Sequence, residues 1–241
     1  MADRVQHPYG EIDIDVVKRW FRLPADEDQA IWMVNLMKYK AVAEYAEGAK
    51  PETVRGAISG KAADDAYSPL ASIAAVGAMV AFHGDVLEQP AGDPAWDRIG
   101  IIRYPSRSAF FTMQERDEFQ KSHVHKAAGM EFTIVMGCLP YEIGAEEPPA
   151  GSSYVMRVRK FIDPTRRGVE PAGVTTIARF DVDGTVIGDE RTWDEVRFDL
   201  VTEEAMSHLG DVEGIADGVT MVVSRLIDNL VSSVQSAPEV G

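Results

Sequence analysis

The feature that most constrains the fold is a pair of Trp-Asp dipeptides, Trp96-Asp97 and Trp193-Asp194, which stand 97 positions apart. Each opens a stretch typical of a strand followed by a helix, WDRIGIIRYPSRSAF in the first half and WDEVRFDLVTEEAM in the second. Tryptophan occurs only four times in the chain, so a matched pair in matched surroundings indicates an internal duplication. We therefore expect two copies of one structural unit.

The order of elements in the first half defines that unit. Alternating or continuous apolar residues predict four strands, and helical segments are predicted between the first and second strands and between the third and fourth. The predicted strands are 31–39, 76–86, 96–104 and 131–141, and the helical segments are 62–75 and 106–126. This β-α-β-β-α-β order is the ferredoxin-like unit.

The second half is predicted to repeat the four strands with less helix, at 154–162, 174–181, 193–201 and 220–227. Asp183-Gly184 is predicted to form a tight turn, and the segment GAEEPPAGSS at 144–153 is predicted to be a linker. A helix is expected over 12–23, and the tail from Val231 is expected to fray. The predicted divisions are 1–29 (helix and lead-in), 30–143 (first unit) and 154–230 (second, diverged unit).

Two ferredoxin-like units can close their open sheets against each other. This arrangement removes the exposed apolar face that each sheet would otherwise present. The predicted fold class is therefore α+β, with tandem ferredoxin-like units forming an intramolecular barrel of the dimeric α/β-barrel type. We expect a ligand cavity in the space between the two sheets.

Composition narrows the classes of partner. The net charge of −15 disfavours nucleic acid and anionic membranes, so neither is an expected partner. The N-terminus lacks the pattern of a signal peptide and no run of 18 apolar residues occurs, which predicts a cytoplasmic protein. The single cysteine, Cys138, lies in an apolar run and is expected to be buried and inert. A small-molecule ligand is expected, and a homodimer stays open.

Several segments resemble a known bacterial family. These are Met33 to Tyr39 (MVNLMKY), Ser59-Gly60-Lys61-Ala62 with Tyr67, Gly77 to Gly84, and Trp96-Asp97 continuing through Tyr104-Pro105-Ser106 and Ala109-Phe110 to Met113. Over roughly residues 20 to 140 the chain resembles the family called domain of unknown function 1330, in the dimeric α/β-barrel superfamily. The second half departs, with Val201-Thr202-Glu203 in place of YPS and Arg157 in place of Asn35. The resemblance implies the fold and no established activity, since the superfamily includes cofactor-free monooxygenases, cyclases, isomerases and haem enzymes.

Alternation along the strands assigns the candidate site residues. One face of the third strands is greasier (Ile99, Ile101 and Arg103 with Val196, Phe198 and Leu200) and is expected to pack on helices. The other, mixed face is expected to point into the inter-sheet cavity and to bring together Asn35, His83, Tyr104, Arg157, Arg159, Arg197 and Asp199, with Met33, Met37 and Met79 as its apolar wall. An outward placement stays open, in which the arginines are solvated or tied to Asp199. A strand phase wrong by one residue would reverse every assignment.

These side chains suit a small, partly apolar anion. Arginine donates in a fork that matches a carboxylate, a histidine can move a proton near neutral pH, and a tyrosine can donate to an oxyanion. We expect His83 and Tyr104 to be catalytic, and Asn35, Arg107, Arg157, Arg159, Arg197 and Asp199 to bind substrate. Arg107 is included because a cation is unfavourable in the first turn of a helix, which hints at a partner.

The preferred prediction is a cofactor-independent isomerase, cyclase or lyase that works by proton transfer. No metal site is expected, because His123 and His125 are two apart and would face different ways on a helix. No cofactor is expected either, since phosphate-binding, dinucleotide-binding and zinc-protease motifs are absent from the sequence. Two alternatives stay open: a non-catalytic ligand-binding or stress-type barrel, and a haem enzyme of the chlorite dismutase type with His208 as its axial ligand.

Overall fold

The structure is a computed structural model, and it describes residues 3–144, 151–165 and 167–237. The first half contains an N-terminal hairpin, a helix, and four long strands with helices between them. These elements are β1 (Arg4–His7), β2 (Gly10–Asp13), α1 (Ile14–Phe21), β3 (Ile31–Tyr39), α2 (Gly60–Ala66), α3 (Leu70–Ala75), β4 (Met79–Ala91), β5 (Arg98–Tyr104), α4 (Arg107–Gln114), α5 (Asp117–Gly129) and β6 (Met130–Ile143).

The second half has four further long strands and little helix. Its elements are β7 (Ser153–Phe161), β8 (Val174–Gly188), β9 (Glu195–Val201), α6 (Glu203–Met206), a 3-10 turn (Leu209–Asp211), β10 (Ile215–Val223), β11 (Ile227–Asp228) and α7 (Leu230–Gln235). None of the helices in the described part of the chain is long and apolar enough to cross a membrane.

Eight of the eleven strands close into one antiparallel barrel, in the order β8-β6-β3-β5-β4-β10-β7-β9, with β9 pairing back onto β8. Numbered within its own half, each set of four strands has the order 4-1-3-2, as in a ferredoxin-like sheet. The two halves join where β4 pairs with β10 and where β6 pairs with β8. The predicted α+β barrel of two joined ferredoxin-like sheets is confirmed.

The Trp-Asp dipeptides have the same structural role in both halves. The Asp97 carboxylate accepts a hydrogen bond from the backbone N–H of Tyr39 at 2.7 Å, and the Asp194 carboxylate accepts one from Phe161 at 2.8 Å. Both tryptophans of the dipeptides are buried. Each dipeptide therefore holds the end of the first strand of its half. That the two halves arose by duplication stays a prediction.

The space between the two sheets is a packed core rather than a cavity, so the predicted inter-sheet cavity is wrong. One continuous apolar cluster fills it with side chains from both halves. The rings of Trp32 and Phe180 lie 6.0 Å apart across it, and those of Phe82 and Phe198 lie 5.0 Å apart. Apolar side chains from both sheets fill the interior of this barrel, so the most apolar strand faces are removed from water there.

The assignment of strand faces is therefore reversed. Ile99 and Ile101, expected to pack on helices, point into the barrel together with Val196 and Phe198. The mixed polar face lies on the outside of the sheet, where helices α2 to α5 cover it in the first half. Outside the barrel a polar group can reach a partner or a cavity, which the closed interior does not allow.

Two local predictions also need correction. Asp183-Gly184 lies within the continuous strand β8, and a Cβ on Gly184 would come 2.8 Å from Val16, so this glycine lets α1 lie close to the strand. The helix predicted over 12–23 is confirmed as α1, whereas the β1–β2 hairpin before it was not predicted. The tail contains α7, which is held where the Trp32 indole donates to Ser233 at 2.8 Å. Most of the predicted linker falls on 145–150, outside the described residues.

Candidate functional site

A cavity of about 340 Å³ lies between the outer face of the first-half sheet and helices α2 to α5. This volume suits a small organic molecule. Its walls are largely apolar, formed by Met33, Met37, Ile73, Ile102, Phe110, Met113, Phe119 and Val135. The polar side chains that reach it are those of Tyr9, Asn35, Asp64, Asp65, Tyr67, Ser68, His83, Arg98, Tyr104, Gln114, His123 and Lys126.

The size of the side chains at one cross-strand pair leaves room for the cavity in the first half. Asn35 on β3 pairs with Gly100 on β5, whereas the corresponding pair in the second half is Arg157 on β7 with Arg197 on β9. A Cβ added to Gly100 would already lie 3.3 Å from the tip of Met37. The missing side chain leaves room above the sheet, which two arginine side chains fill in the other half.

Lys126 on α5 brings an amine into this cavity. Its Nζ lies 3.4 Å from the Asn35 side-chain oxygen and 5.8 Å from the centroid of the Tyr67 ring. No carboxylate oxygen within the described residues lies close enough to form an ion pair with it. Burial lowers the pKa of Lys126, and the more distant charge of Asp64 opposes this only in part.

Asn35 is held so that its oxygen faces the amine. Its side-chain nitrogen donates to the backbone oxygens of Met33 at 3.1 Å and Gly100 at 3.4 Å. The amide therefore presents its oxygen toward Lys126, which makes Asn35 a positioning residue for the amine.

Two tyrosines bring hydroxyl groups to the same cavity. Neither the Tyr67 nor the Tyr104 hydroxyl has a hydrogen-bond partner in the described part of the protein, although both side chains are mostly buried. Burial raises the pKa of both phenols, and for Tyr67 the nearby Tyr104 adds to the effect. Both are therefore neutral donors at physiological pH, available to an oxygen atom of a ligand.

A tyrosine–histidine pair forms another part of the wall. The Tyr9 hydroxyl and His123 Nε2 are 2.7 Å apart, and Tyr9 comes from the turn of the N-terminal hairpin. The backbone oxygen of Tyr9 also accepts from Thr133 on β6 at 3.0 Å. Burial, with smaller effects from Lys126 and His7, lowers the pKa of His123 to about 4. His123 is thus a neutral imidazole at neutral pH.

His83 reaches the cavity from β4, beside a charged group centred on Arg98. Arg98 donates to Asp85 at 2.7 Å and to Asp65 at 2.7 Å, and it contacts Asp64 at 3.3 Å. Burial lowers the pKa of His83, and the Arg98 charge lowers it further, against the opposing effect of the aspartates. His83 is therefore neutral at pH 7 and able to accept a proton.

The structure divides the predicted site residues between two places. Asn35, His83 and Tyr104 line the first-half cavity. Arg157, Arg159, Arg197 and Asp199 lie on the outer face of the second-half sheet and do not reach it.

Those second-half residues form a closed ionic cluster. Arg157 and Arg197 both bind Asp199, and both also bind Glu170, at 2.7 Å and 2.6 Å. Arg159 binds the same Glu170 carboxylate. Arg157 is 1% exposed and Asp199 0%. Burial raises the pKa of Glu170, but the three arginines outweigh it and hold this pKa at about 2. The three guanidinium groups are thus already paired with carboxylates of the described residues.

Arg107 is also occupied elsewhere. Its guanidinium lies 3.1 Å from the Asp183 carboxylate on β8 and 5.6 Å from the Trp20 ring, and its backbone N–H donates to Asp28 at 2.7 Å. The partner hinted at by its place in the first turn of α4 is therefore a pair of aspartates. Arg107 joins the first-half helices to the second-half sheet rather than lining the cavity.

Sequence reasoning missed Lys126, Tyr67 and Tyr9 as cavity residues. His123 and Lys126 are three residues apart and share a face of α5, a signal that was present in the sequence. Tyr9 gave no such signal, because the four-residue strands of its hairpin are too short for a periodic pattern.

The histidines of the chain lie at separate places in the structure. His208 is exposed and lies in the second half, away from the cavity. His123 and His125 bind different tyrosines, with the Tyr45 hydroxyl 2.8 Å from His125 Nδ1. Within the described residues there is no group of three or more His, Cys, Asp or Glu side chains arranged to hold a metal ion.

Comparison with known proteins gives weak similarities to solved structures. No family model matches the sequence, and no curated protein matches it. A protein of unknown function from Rhodopseudomonas palustris is 23% identical, with 53% of this chain and 93% of that chain covered and a TM-score of 0.45. A candidate monooxygenase from Lactobacillus acidophilus is 14% identical, with 82% of this chain and 94% of that chain covered and a TM-score of 0.39. A mutant chlorite dismutase from Candidatus Nitrospira defluvii is 8% identical, with 87% of this chain and 96% of that chain covered and a TM-score of 0.44. The fold assignment above comes from the strand order itself, that of the dimeric α/β barrel.

Proposed function

We propose that the chain is an enzyme that moves a proton at the carbon next to a carbonyl group in a small, largely apolar molecule. Isomerisation, cyclisation and elimination all contain this step. The observation that carries the proposal is the meeting, in one apolar-walled cavity, of a neutral histidine, two tyrosine hydroxyls and a lysine. Among the described residues, neither hydroxyl has a hydrogen-bond partner and the lysine has no carboxylate partner.

Each group has a role in such a step. His83, neutral at pH 7, would remove the proton from carbon. The developing negative charge falls on the carbonyl oxygen, where hydrogen bonds from Tyr104 and Tyr67 would stabilise it. Lys126 would donate an N–H to the same end of the molecule. Lys126 thus supplies a nitrogen donor in this cavity, which the arginines of the second half do not reach.

The apolar walls contribute by excluding water. Hydrogen bonds to a developing oxyanion are stronger in a medium of low dielectric constant than in water. The same walls favour substrates that carry a hydrocarbon or aromatic portion. We also propose that residues 20 to 140 belong to the domain of unknown function 1330 family, which they resemble. Membership of that family would not by itself identify a reaction.

The test is exchange of carbon-bound hydrogen for deuterium, because it needs no knowledge of the full reaction. A panel of small ketones and keto acids is incubated with the protein in D2O and followed by NMR. We expect the protein to accelerate exchange in members that fit the cavity, and His83→Gln and Tyr104→Phe each to slow it by about 10²-fold or more.

His125→Gln and Tyr45→Phe are matched controls, since this hydrogen-bonded pair lies outside the cavity lining. Both should leave the exchange rate unchanged. Rates that are the same in His83→Gln, Tyr104→Phe and the parent protein would contradict the proposal. Binding without exchange for every carbonyl compound would favour the non-catalytic alternative.

A further inference from the structure

We propose that Lys126 is a nucleophile, and that its amine forms an imine with the carbonyl carbon of a small aldehyde or ketone held in the cavity. This inference rests on the proposed function for the location of the site, and it narrows the substrates to those with an unhindered carbonyl group. It also gives the proton-transfer step an electron sink, because an iminium group withdraws electrons more strongly than a carbonyl.

The first argument is the absence of a counter-ion. Five other lysines have a carboxylate within 4.0 Å, namely Lys18, Lys38, Lys40, Lys61 and Lys160. In the described part of the chain Lys126 has none, and its nearest polar neighbour is the neutral amide oxygen of Asn35. An ammonium group in an apolar-walled cavity without an anionic partner is less stable than one in water, which lowers the pKa of Lys126 and raises the fraction of the uncharged, nucleophilic amine.

The second argument concerns the charged and titratable groups around the amine. His7 and Tyr9 approach from the hairpin, Asp64 from α2, Tyr67 from the loop that follows it, and His123 from α5. Burial lowers the pKa of both His7 and His123, so neither histidine places a positive charge beside the amine at neutral pH. Asp64, the one anion of this group, is engaged by the Tyr39 hydroxyl at 2.6 Å and by Arg98.

The third argument is the supply of acid and base for the reaction. The Lys126 nitrogen attacks the carbonyl carbon, a C–N bond forms, and the electron pair of the C=O bond moves to oxygen. The proton lost from nitrogen reaches that oxygen through the Tyr67 hydroxyl, which gives a neutral carbinolamine. A second proton from solvent, entering at the open end of the cavity, converts the hydroxyl group to water, which leaves as the iminium forms. His83 then removes the neighbouring proton to give an enamine.

The test is reductive trapping with pentanal as the probe. The full-length protein is treated briefly with pentanal and cyanoborohydride near pH 7, and the modified lysines are identified by peptide mass mapping. We expect Lys126 to be alkylated at least about tenfold faster than Lys121, because its lowered pKa gives a larger fraction of free amine and because the cavity holds the aldehyde beside it. Lys121 is the internal control, because it lies on the same helix and is exposed.

Variants separate the two proposals. Lys126→Arg keeps a cation but cannot form an imine, and it should lose the rapid alkylation, whereas Lys121→Arg should keep it. Alkylation of Lys126 no faster than that of Lys121 in the parent protein overturns the inference, and this measurement does not depend on whether a variant folds. If that result is accompanied by deuterium exchange that persists in Lys126→Arg, the proposed function stands without the imine. Rapid trapping at Lys126 with no exchange for any carbonyl compound overturns the proposed function and leaves the reactive lysine.

Discussion

The ionic cluster of the second half makes a quantitative prediction about stability and pH. Glu170 is the carboxylate that Arg157, Arg159 and Arg197 share. These arginines outweigh the effect of burial and bring its pKa from 4.5 to about 2. We therefore expect Glu170→Gln to destabilise the fold at neutral pH, because the variant removes one of the anions that balance three buried guanidinium groups.

The size of the effect follows from the pKa. A carboxyl pKa that falls from 4.5 to about 2 on folding contributes about 3 kcal/mol to the free energy of unfolding. Because the pKa is lower in the folded state, this contribution is complete above pH 4.5 and is lost as the pH falls toward 2. About 2 kcal/mol of it should be gone by pH 3. The neutral glutamine of the variant has no such dependence.

The assay is urea unfolding of the parent protein and Glu170→Gln at pH 7, 5, 4 and 3. The other carboxylates titrate in both proteins, so the difference between the two free energies isolates Glu170. We expect a difference of about 3 kcal/mol at pH 7 that shrinks to about 1 kcal/mol at pH 3. Glu52→Gln, at an exposed position, should change stability little at any pH. A Glu170 difference that does not vary with pH would refute the reasoning.

Two further predictions concern the origin of the cavity and the anchors of the barrel. Gly100→Val should fill the cavity and reduce the affinity for any ligand there at least about tenfold, at a stability cost of about 1 kcal/mol. Gly210→Val, at a position with open space, should leave the affinity unchanged. Calorimetric titration measures the affinity, and thermal unfolding measures the stability. Asp97→Ala and Asp194→Ala should each cost about 1 to 3 kcal/mol in urea unfolding, because each leaves a strand-end N–H without its acceptor. A large loss of unfolding free energy at one position and none at the other would show that the Trp-Asp dipeptide does not have the same structural role in the two halves.

The strand pattern of the first half could be predicted from sequence because its strands are long and strongly apolar. The predicted strand at 31–39 has the bounds of β3, and the repeated Trp-Asp dipeptide identified β5 and β9 as equivalent strands of the two halves. Rare residues at matched places carry information about topology that does not depend on finding every helix. The hairpin β1–β2 and the full length of β8 were missed because short polar strands and bulged strands lack a clear period of two.

Alternation grouped the residues of β3, β5, β7 and β9 by face, but it did not give the direction of each face. In β4 and β8 the grouping itself is wrong, because β-bulges shift the alternation and turn Ala81, Ala178 and Phe180 into the barrel. Asn35, His83 and Tyr104 do share a cavity, since alternation places them on one face. Which face points inward depends on what covers the other side, and that is a tertiary property. Four helices cover the first-half face, and the loop carrying Glu170 supplies the paired charges that bury the arginines of the second half.

The absence of a side chain at Gly100 distinguishes the first-half sheet, which has a cavity on its outer face, from the second-half sheet, whose outer face is filled by arginine side chains. In sequence it is one glycine in a strand, opposite an asparagine. Its meaning appears only when Arg197, at the corresponding position of β9, is seen to occupy that space. Comparing the two halves therefore locates the candidate site better than either half alone.

The most direct test of the central claim uses the methionine methyl groups as reporters of where a ligand binds. Met33, Met37 and Met113 line the first-half cavity, whereas Met156 and Met221 lie in the barrel interior between the sheets. The protein, labelled with 13C at its methionine methyl groups, is titrated with small ketones and keto acids and followed by NMR. We predict chemical-shift changes at the cavity methionines and none at the interior ones. Changes confined to Met156 and Met221 would contradict the account.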